Sequence, residues 1–155
     1  MTPGIKVAKQ AKIAHKVHEY SHDPTSDSYG LEASTKLGVD QARVFKTLVV
    51  SLDSKELAVG IIPVSSMLSM KLIAKATGAK KAKMADQSDV ERSTGYVLGG
   101  VSPLGQKKKL KTILDDSAKN HSTIFVSAGR RGLEIELDPV DLIKLANGID
   151  APICQ

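Results

Sequence analysis

Phe45-Lys46-Thr47-Leu48-Val49-Val50-Ser51 and Leu57-Ala58-Val59-Gly60-Ile61-Ile62-Pro63-Val64, with Leu52-Asp53-Ser54-Lys55 between them, are the residues on which the fold turns. Each run is short, rich in branched aliphatic residues and bounded by polar turn formers, so the pair predicts a β-hairpin. A second pair repeats the signal: strands over Thr123–Ser127 and Leu133–Leu137, with Gly129-Arg130-Arg131-Gly132 as the turn. Hairpins join antiparallel neighbours, which argues against a purely parallel doubly wound sheet.

Helical signals surround these strands. Thr2-Pro3 pairs a capping residue with a first-turn proline and predicts a helix running to Lys12. Leu31–Leu37 is closed by Gly38, Ser69 opens a helix that Gly78 closes, and Asp86 opens one that Gly95 ends. Asp138-Pro139, with Asp141 in the first turn, starts a last helix that Gly148 stops. His15–Tyr20, Lys80–Met84 and Leu110–Leu114 read as further strands, Tyr96–Leu98 as extended, and Ser21–Ser28 and Gly99–Gly105 as loops. The expectation is an α+β chain: one domain over residues 1–155, with a mixed, mostly antiparallel curved sheet flanked by short helices.

Composition narrows the function. The 155 residues carry 22 Lys+Arg against 17 Asp+Glu, a net of +5, which favours an anionic partner. Aromatic residues are only 3% and Trp is absent, so phosphate contacts rather than base stacking should dominate any nucleic-acid binding. The single Cys154 excludes an internal disulfide, and a reducing compartment is expected. Cys154 is the penultimate residue, read as a thiol in a mobile tail. No apolar run approaches the ~20 residues of a membrane span, and Met1–Lys6 has no signal-peptide core. A cytoplasmic protein without membrane contact is expected.

P-loop, dinucleotide-binding and Gly-x-Ser-x-Gly patterns are absent from the sequence. His15, His18 and His22 precede Asp23; metal ligation is one reading and hydrogen-bonded surface histidines the other, and the spacing matches no ligand template. No metal or cofactor is expected. Lys46 opens an apolar strand, where it either snorkels from an edge or reaches into a pocket for an oxygen. Gly95-Tyr96-Val97-Leu98-Gly99-Gly100-Val101-Ser102-Pro103-Leu104-Gly105 is a loop whose adjacent glycines let a substrate approach the backbone. Lys107-Lys108-Lys109 and Arg130-Arg131 are either a solvated face or phosphate contacts. No helix-turn-helix or zinc finger suggests duplex DNA binding.

Taken in order, these segments resemble the YbaK family of aminoacyl-tRNA deacylases, most closely its free-standing members that act on Cys-tRNA(Pro). The matching segments include Met1-Thr2-Pro3, Tyr20-Ser21-His22-Asp23-Pro24, Phe45-Lys46-Thr47-Leu48, Gly78-Ala79-Lys80-Lys81, Met84-Ala85-Asp86 and Ser93-Thr94-Gly95-Tyr96. They continue through Gly99-Gly100-Val101-Ser102-Pro103-Leu104-Gly105-Gln106-Lys107-Lys108 to Arg131-Gly132-Leu133, nearly the whole chain.

The resemblance implies the fold of the domain associated with prolyl-tRNA synthetase. It also implies trans-editing of Cys-tRNA(Pro), and of Cys-tRNA(Cys), in which the cysteinyl thiol attacks its own ester carbonyl and leaves as a thiolactone. By the same resemblance, the amides of Gly99, Gly100 and Val101 line the ester carbonyl and Lys46 holds the terminal adenosine or its phosphate. Tyr20, Ser102, Pro103, Ser127 and Glu134 line the substrate site, and, from their charge and nearness in sequence rather than from the resemblance, Lys107, Lys108 and Arg131 are expected to contact the acceptor stem. The tRNA(Pro) acceptor end and, transiently, prolyl-tRNA synthetase are the implied partners. Water-mediated deacylation of Ala-tRNA(Pro), and a non-catalytic tRNA- or synthetase-binding module, are the alternatives. Ala128 stands where the family turn has glycine, Glu134 where an aspartate is frequent, and Ser65-Ser66-Met67 departs from the relatives at a place that would line the side-chain pocket.

Overall fold

The computed structural model describes residues 1–26 and 28–155; Asp27, within the predicted 21–28 loop, lies outside them. In chain order the elements are α1 (Pro3–Gln10), β1 (His15–Glu19), α2 (Tyr29–Leu37), β2 (Phe45–Leu52), β3 (Leu57–Pro63), α3 (Met70–Thr77), β4 (Ala82–Met84) and α4 (Gln87–Thr94). There follow β5 (Lys111–Asp115), β6 (Ile124–Arg130), β7 (Leu133–Leu137), α5 (Pro139–Ala146) and β8 (Ile149–Ala151).

The helices form where local chemistry specifies them. Hydroxyls of Thr2, Ser28 and Ser69 accept from Ile5, Leu31 and Leu72 amides, and the Asp138 carboxylate from that of Val140. Asp86 occupies the N-cap of α4 without a side-chain capping bond. Gly38, Gly78, Gly95 and Asn147 close their helices in left-handed geometry. Three predicted boundaries shift. The first helix ends at Gln10 rather than Lys12, α2 begins at Tyr29 because Ser28 supplies the cap, and Asn147 rather than Gly148 closes α5 in left-handed geometry.

Both predicted hairpins are present. β2 and β3 pair antiparallel from Phe45↔Pro63 to Ser51↔Leu57, and β6 pairs with β7 from Ile124↔Leu137 to Ser127↔Glu134. The strands divide between two sheets: an antiparallel three-stranded one, β1-β7-β6, and a mixed five-stranded one, β4-β2-β3-β5-β8, whose β3–β5 and β5–β8 pairs are parallel. An isolated parallel bridge between Val44 and Phe125 joins them. Beyond it, β2 turns away to pair with β4 (Val50↔Met84), and α4 and the 95–105 loop enter on the side where Phe45, Val49 and Val126 are buried.

β3 is buried along nearly its whole length because both faces of its sheet are covered. On one side Val59 and Ile61 pack with Phe45, Val126, Ile135 and Leu142; on the other Ala58 and Ile62 pack with Ile73 and Ile153. Each such aliphatic side chain contributes roughly 1.5–3 kcal/mol on burial. A third cluster, Ala33, Val44, Val64 and Phe125, seats α2 where the sheets meet.

Three expectations are corrected. Tyr96–Leu98 is not extended: Tyr96 is buried and its hydroxyl donates to the Leu104 carbonyl at 2.6 Å, folding the loop back on itself. The Gly129–Gly132 turn is shorter than predicted, since β6 runs to Arg130 across a register shift after Ser127. Cys154 is not in a mobile tail. It bridges to Leu68, and neighbouring Ile153 is buried and donates its amide to Asp115 at 3.0 Å. Burial, then the Asp115 carboxylate, pushes the Cys154 thiol up to about 11. No helix among the described residues is long and apolar enough to cross a membrane.

Candidate active site

Strand register assembles the first part of the site. The isolated Val44–Phe125 bridge joins β2 to β6, and Lys46 and Ser127 each lie two residues beyond it on their strands; Ser127 is paired with Glu134, and Glu134 with His18. Side chains two apart on a strand share a face. Ser127, Glu134 and His18 therefore lie in a row across β6, β7 and β1, and Lys46 lies on β2 beyond the bridge that joins the sheets. Lys46 is half-buried and, among the described residues, has no ion-pair partner.

The row ends at the β6–β7 hairpin, against which the glycine loop is wedged. Gly99 has φ +89°, and a Cβ there would lie 2.7 Å from Tyr29 Cε2 and 2.8 Å from Arg131 Nε. At Gly100 a Cβ would lie 3.0 Å from the Arg130 Cα. Arg131 stacks 3.9 Å from the centre of the Tyr29 ring and donates to the Leu98 carbonyl at 3.4 Å. Tyr20 enters from β1, its amide bonded to the Gly132 carbonyl at 2.9 Å.

The residues expected to act together separate into two groups. Tyr20, Arg131 and the Gly99–Gly100 backbone lie at the β6–β7 hairpin end, Ser127 and Glu134 are paired just before it, and Lys46 lies two residues past the bridge between the sheets. Ser102 is fully buried, and its hydroxyl accepts from the Leu104 amide at 3.2 Å; Pro103 is buried beside it. Both are turned into the body of the loop. Of the three loop amides, that of Gly100 is taken by the Val97 carbonyl at 3.0 Å, whereas those of Gly99 and Val101 have no acceptor among the described residues. Lys107 and Lys108 are exposed beyond the end of α4, their amides bonded to Thr94 and Ser93 carbonyls.

Two of the departures have a clear place in the structure. Ala128 is buried with ordinary backbone geometry, and the positive φ falls on Gly129 instead, at +121°. The 65–67 segment is tied to the C-terminus through the Gln155 amide and the Met67 carbonyl at 2.9 Å.

Tyr29 and Glu32 are not singled out by the sequence, and His22 is weighed there only as a metal ligand or a hydrogen-bonded surface histidine. The buried Glu32 carboxylate accepts from the Asp23 amide at 2.7 Å, lies 2.7 Å from His22 Nδ1 and pairs with Lys36 at 3.4 Å. Although burial opposes ionisation, these partners together hold its pKa below the ordinary value. His22 in turn packs edge-on against Tyr29 at 5.5 Å, so Glu32 fixes the loop after Tyr20 and the ring that backs Gly99. The usable signal was Ser28, whose capping starts the helix at Tyr29. His18 and His22 bond to Glu136 and Glu32, and among the described residues no three metal-ligating side chains converge.

Glu134 is 7% exposed, and desolvation pushes its pKa from 4.5 up to about 8. Burial, followed by the Glu134 and Glu32 charges, raises the Tyr20 phenol to about 12. A proton kept by the folded state and released by the unfolded one makes stability fall as pH rises between 4.5 and about 8. Glu134→Gln should remove that loss, so its stability advantage over wild type should grow through this window by a few kcal/mol and level off above it. Urea unfolding at pH 5, 6.5 and 8 checks this; a constant difference between the two proteins would show that the carboxyl is not held neutral.

A model of the aminoacyl-tRNA editing domain matches residues 23–145. The chain belongs to this editing family. Its members are aminoacyl-tRNA deacylases, and an aminoacyl-tRNA is accordingly the substrate class. A protein of Enterococcus faecalis named as a candidate Cys-tRNA(Pro)/Cys-tRNA(Cys) deacylase, EbsC, is 39% identical over 153 residues, covering 98% of this chain and 92% of its own. An uncharacterised Bacillus subtilis protein, YwhH, is 29% identical over 76% of this chain and 74% of its own. Among solved structures, a candidate trans-editing enzyme for prolyl-tRNA synthetase has a TM-score of 0.83 at 19% identity, covering 100% of this chain and 99% of its own. Within the editing family the site therefore has an ester to cleave, and the loop amides and row of polar groups are candidates for holding it.

Proposed function

We propose that this protein, acting as one domain over residues 1–155, clears Cys-tRNA(Pro), and Cys-tRNA(Cys), by letting the cysteinyl group cleave its own ester. The sulfur attacks the ester carbonyl carbon, the bond from that carbon to the ribose oxygen breaks, and the thiol proton ends on the ribose oxygen. Cysteine leaves as a cyclic thiolactone. The observation that carries the reading is the 39% identity, over nearly the whole of both chains, to a relative named for cysteinyl-tRNA deacylation.

The site geometry is compatible with such assistance. Ser127 has no histidine within hydrogen-bond reach among the described residues, His22 is committed to Glu32, and Cys154 pairs with Leu68. The protein's part is then orientation, which alone lowers such barriers by up to about 7–11 kcal/mol, and stabilisation of the oxyanion. In this reading the Gly99 and Val101 amides meet the developing oxyanion, and Gly100 shapes the turn between them. Lys46 and Tyr20 seat the terminal adenosine, Ser127 and Glu134 line the aminoacyl pocket, and Arg131, Lys107 and Lys108 meet the acceptor end. Prolyl-tRNA synthetase, which an apolar pocket leaves prone to accept cysteine, is the transient partner.

Deacylation of Cys-tRNA(Pro), Ala-tRNA(Pro) and Pro-tRNA(Pro) by the purified protein tests this. Loss of cysteine alone, with thiolactone in the products, is expected. Alanine cannot cyclise through sulfur, so its rapid release would replace the scheme with attack by water. Activity appearing only when prolyl-tRNA synthetase is added would make the partner obligatory.

A further inference from the structure

We propose that the groove on the outer side of α4 seats phosphates of the acceptor-stem duplex of the same tRNA whose 3′ end enters the candidate site. This rests on aminoacyl-tRNA being the substrate. The groove encloses about 640 Å³ and is lined by the β2–β3 turn, β4, α4 and the segment after the glycine loop. Four cations from four places in the chain face it: Lys55, Lys83, Arg92 and Lys108.

Its carboxylates are Asp53, Asp86 and Asp89. Asp89 is paired with Arg92, and Asp53 accepts from the Lys80 amide at 3.2 Å. Lys55, Lys83 and Lys108 are exposed and, among the described residues, have no carboxylate partner; with Asp86 also unpaired, the lining's four cations against three carboxylates leave one net positive charge and three lysines able to meet an anion. Lys107, Lys109 and Lys111 extend the same basic edge, although Lys111 is shared with Glu56 at 3.5 Å.

Position adds to charge. α4 has eight residues, about 12 Å of helix, and its C-terminal end leads through Gly95–Leu98 to Gly99. A few unpaired nucleotides at a tRNA 3′ end span more than that. A chain anchored at Gly99 is therefore long enough to carry its first base-paired phosphates past α4 to the groove. The lining holds no aromatic ring, as suits contacts to a backbone rather than to bases.

The test is the double variant Lys55→Gln/Lys83→Gln, whose side chains are exposed and should leave the melting temperature unchanged. Binding of uncharged tRNA is measured by fluorescence anisotropy at 50 and 200 mM KCl, and turnover is measured on a 3′-cysteinyl-adenosine ester. Losing two phosphate contacts should lower the slope of log affinity against log salt by about 1.8, so that wild type loses about 12-fold more affinity than the variant between the two salts. Turnover of the small ester should not change, because it carries no duplex. Equal slopes and equal affinities would overturn the proposal. So would a variant whose only defect is in binding prolyl-tRNA synthetase, which would assign the groove to a protein. Failure of wild type to cleave the ester or charged tRNA would instead count against the deacylation reading, while the anisotropy slopes still decide the groove.

Discussion

Lys46→Ala should lower the rate of Cys-tRNA(Pro) deacylation by about 10²–10³-fold, the scale of removing one preorganised charged or hydrogen-bonding group from an active site. The lysine is half-buried, in β2 opposite Ile62, two residues beyond the bridge that joins the sheets. It makes no ion pair among the described residues, so its loss leaves no buried charge unpaired, and unfolding free energy should move by no more than about 1 kcal/mol. Lys46→Arg should recover little, since a planar fork does not replace a point charge at a shaped site. Single-turnover deacylation beside thermal unfolding measures both properties. Full activity in Lys46→Ala would remove the lysine from the mechanism.

Gly99→Ala should cost at least about 100-fold in the same assay. At φ +89° a side chain is strained in any surroundings, and here the new methyl would also press on the Tyr29 ring and the Arg131 guanidinium at under 3 Å. Relief requires the loop or the Tyr29–Arg131 stack to shift, and a displacement near 1 Å is enough for a loss of that size. Gly95→Ala is the control. Its φ is +80°, but its Cβ would meet only Lys107 Cβ, at an ordinary 3.7 Å. Both variants should be destabilised by about 1–2 kcal/mol, and only Gly99→Ala should lose activity beyond that. Equal activities would mean that the glycine loop does not meet the substrate.

The site was legible in sequence to the extent that its parts are local. Lys46 at a strand start, the doubled glycine and the arginine pair are visible in the chain, and the family resemblance ordered them. The support beneath them was not. Tyr29 and Glu32 matter because α2 packs across the sheet junction, a contact between segments that have no pattern in common. The engagement of the Gly100 amide and the burial of Ser102 likewise depend on how the loop folds back through Tyr96. Residues adjacent in sequence thus differ in setting: the Val101 amide has no acceptor among the described residues, and Ser102 turns inward.

By itself the sequence determined both hairpins, the helix starts at Thr2, Ser69 and Asp138, and the left-handed stops at Gly38, Gly78 and Gly95, because a turn or a cap is decided within a few residues by backbone sterics and short-range hydrogen bonds. Only the tertiary structure decided that the eight strands among the described residues split into two sheets, that β8 and Cys154 join the body of the fold, and that burial pushes the Glu134 carboxyl up to about 8. Strand partners are chosen by contacts remote in sequence, and desolvation is a property of everything that surrounds a group.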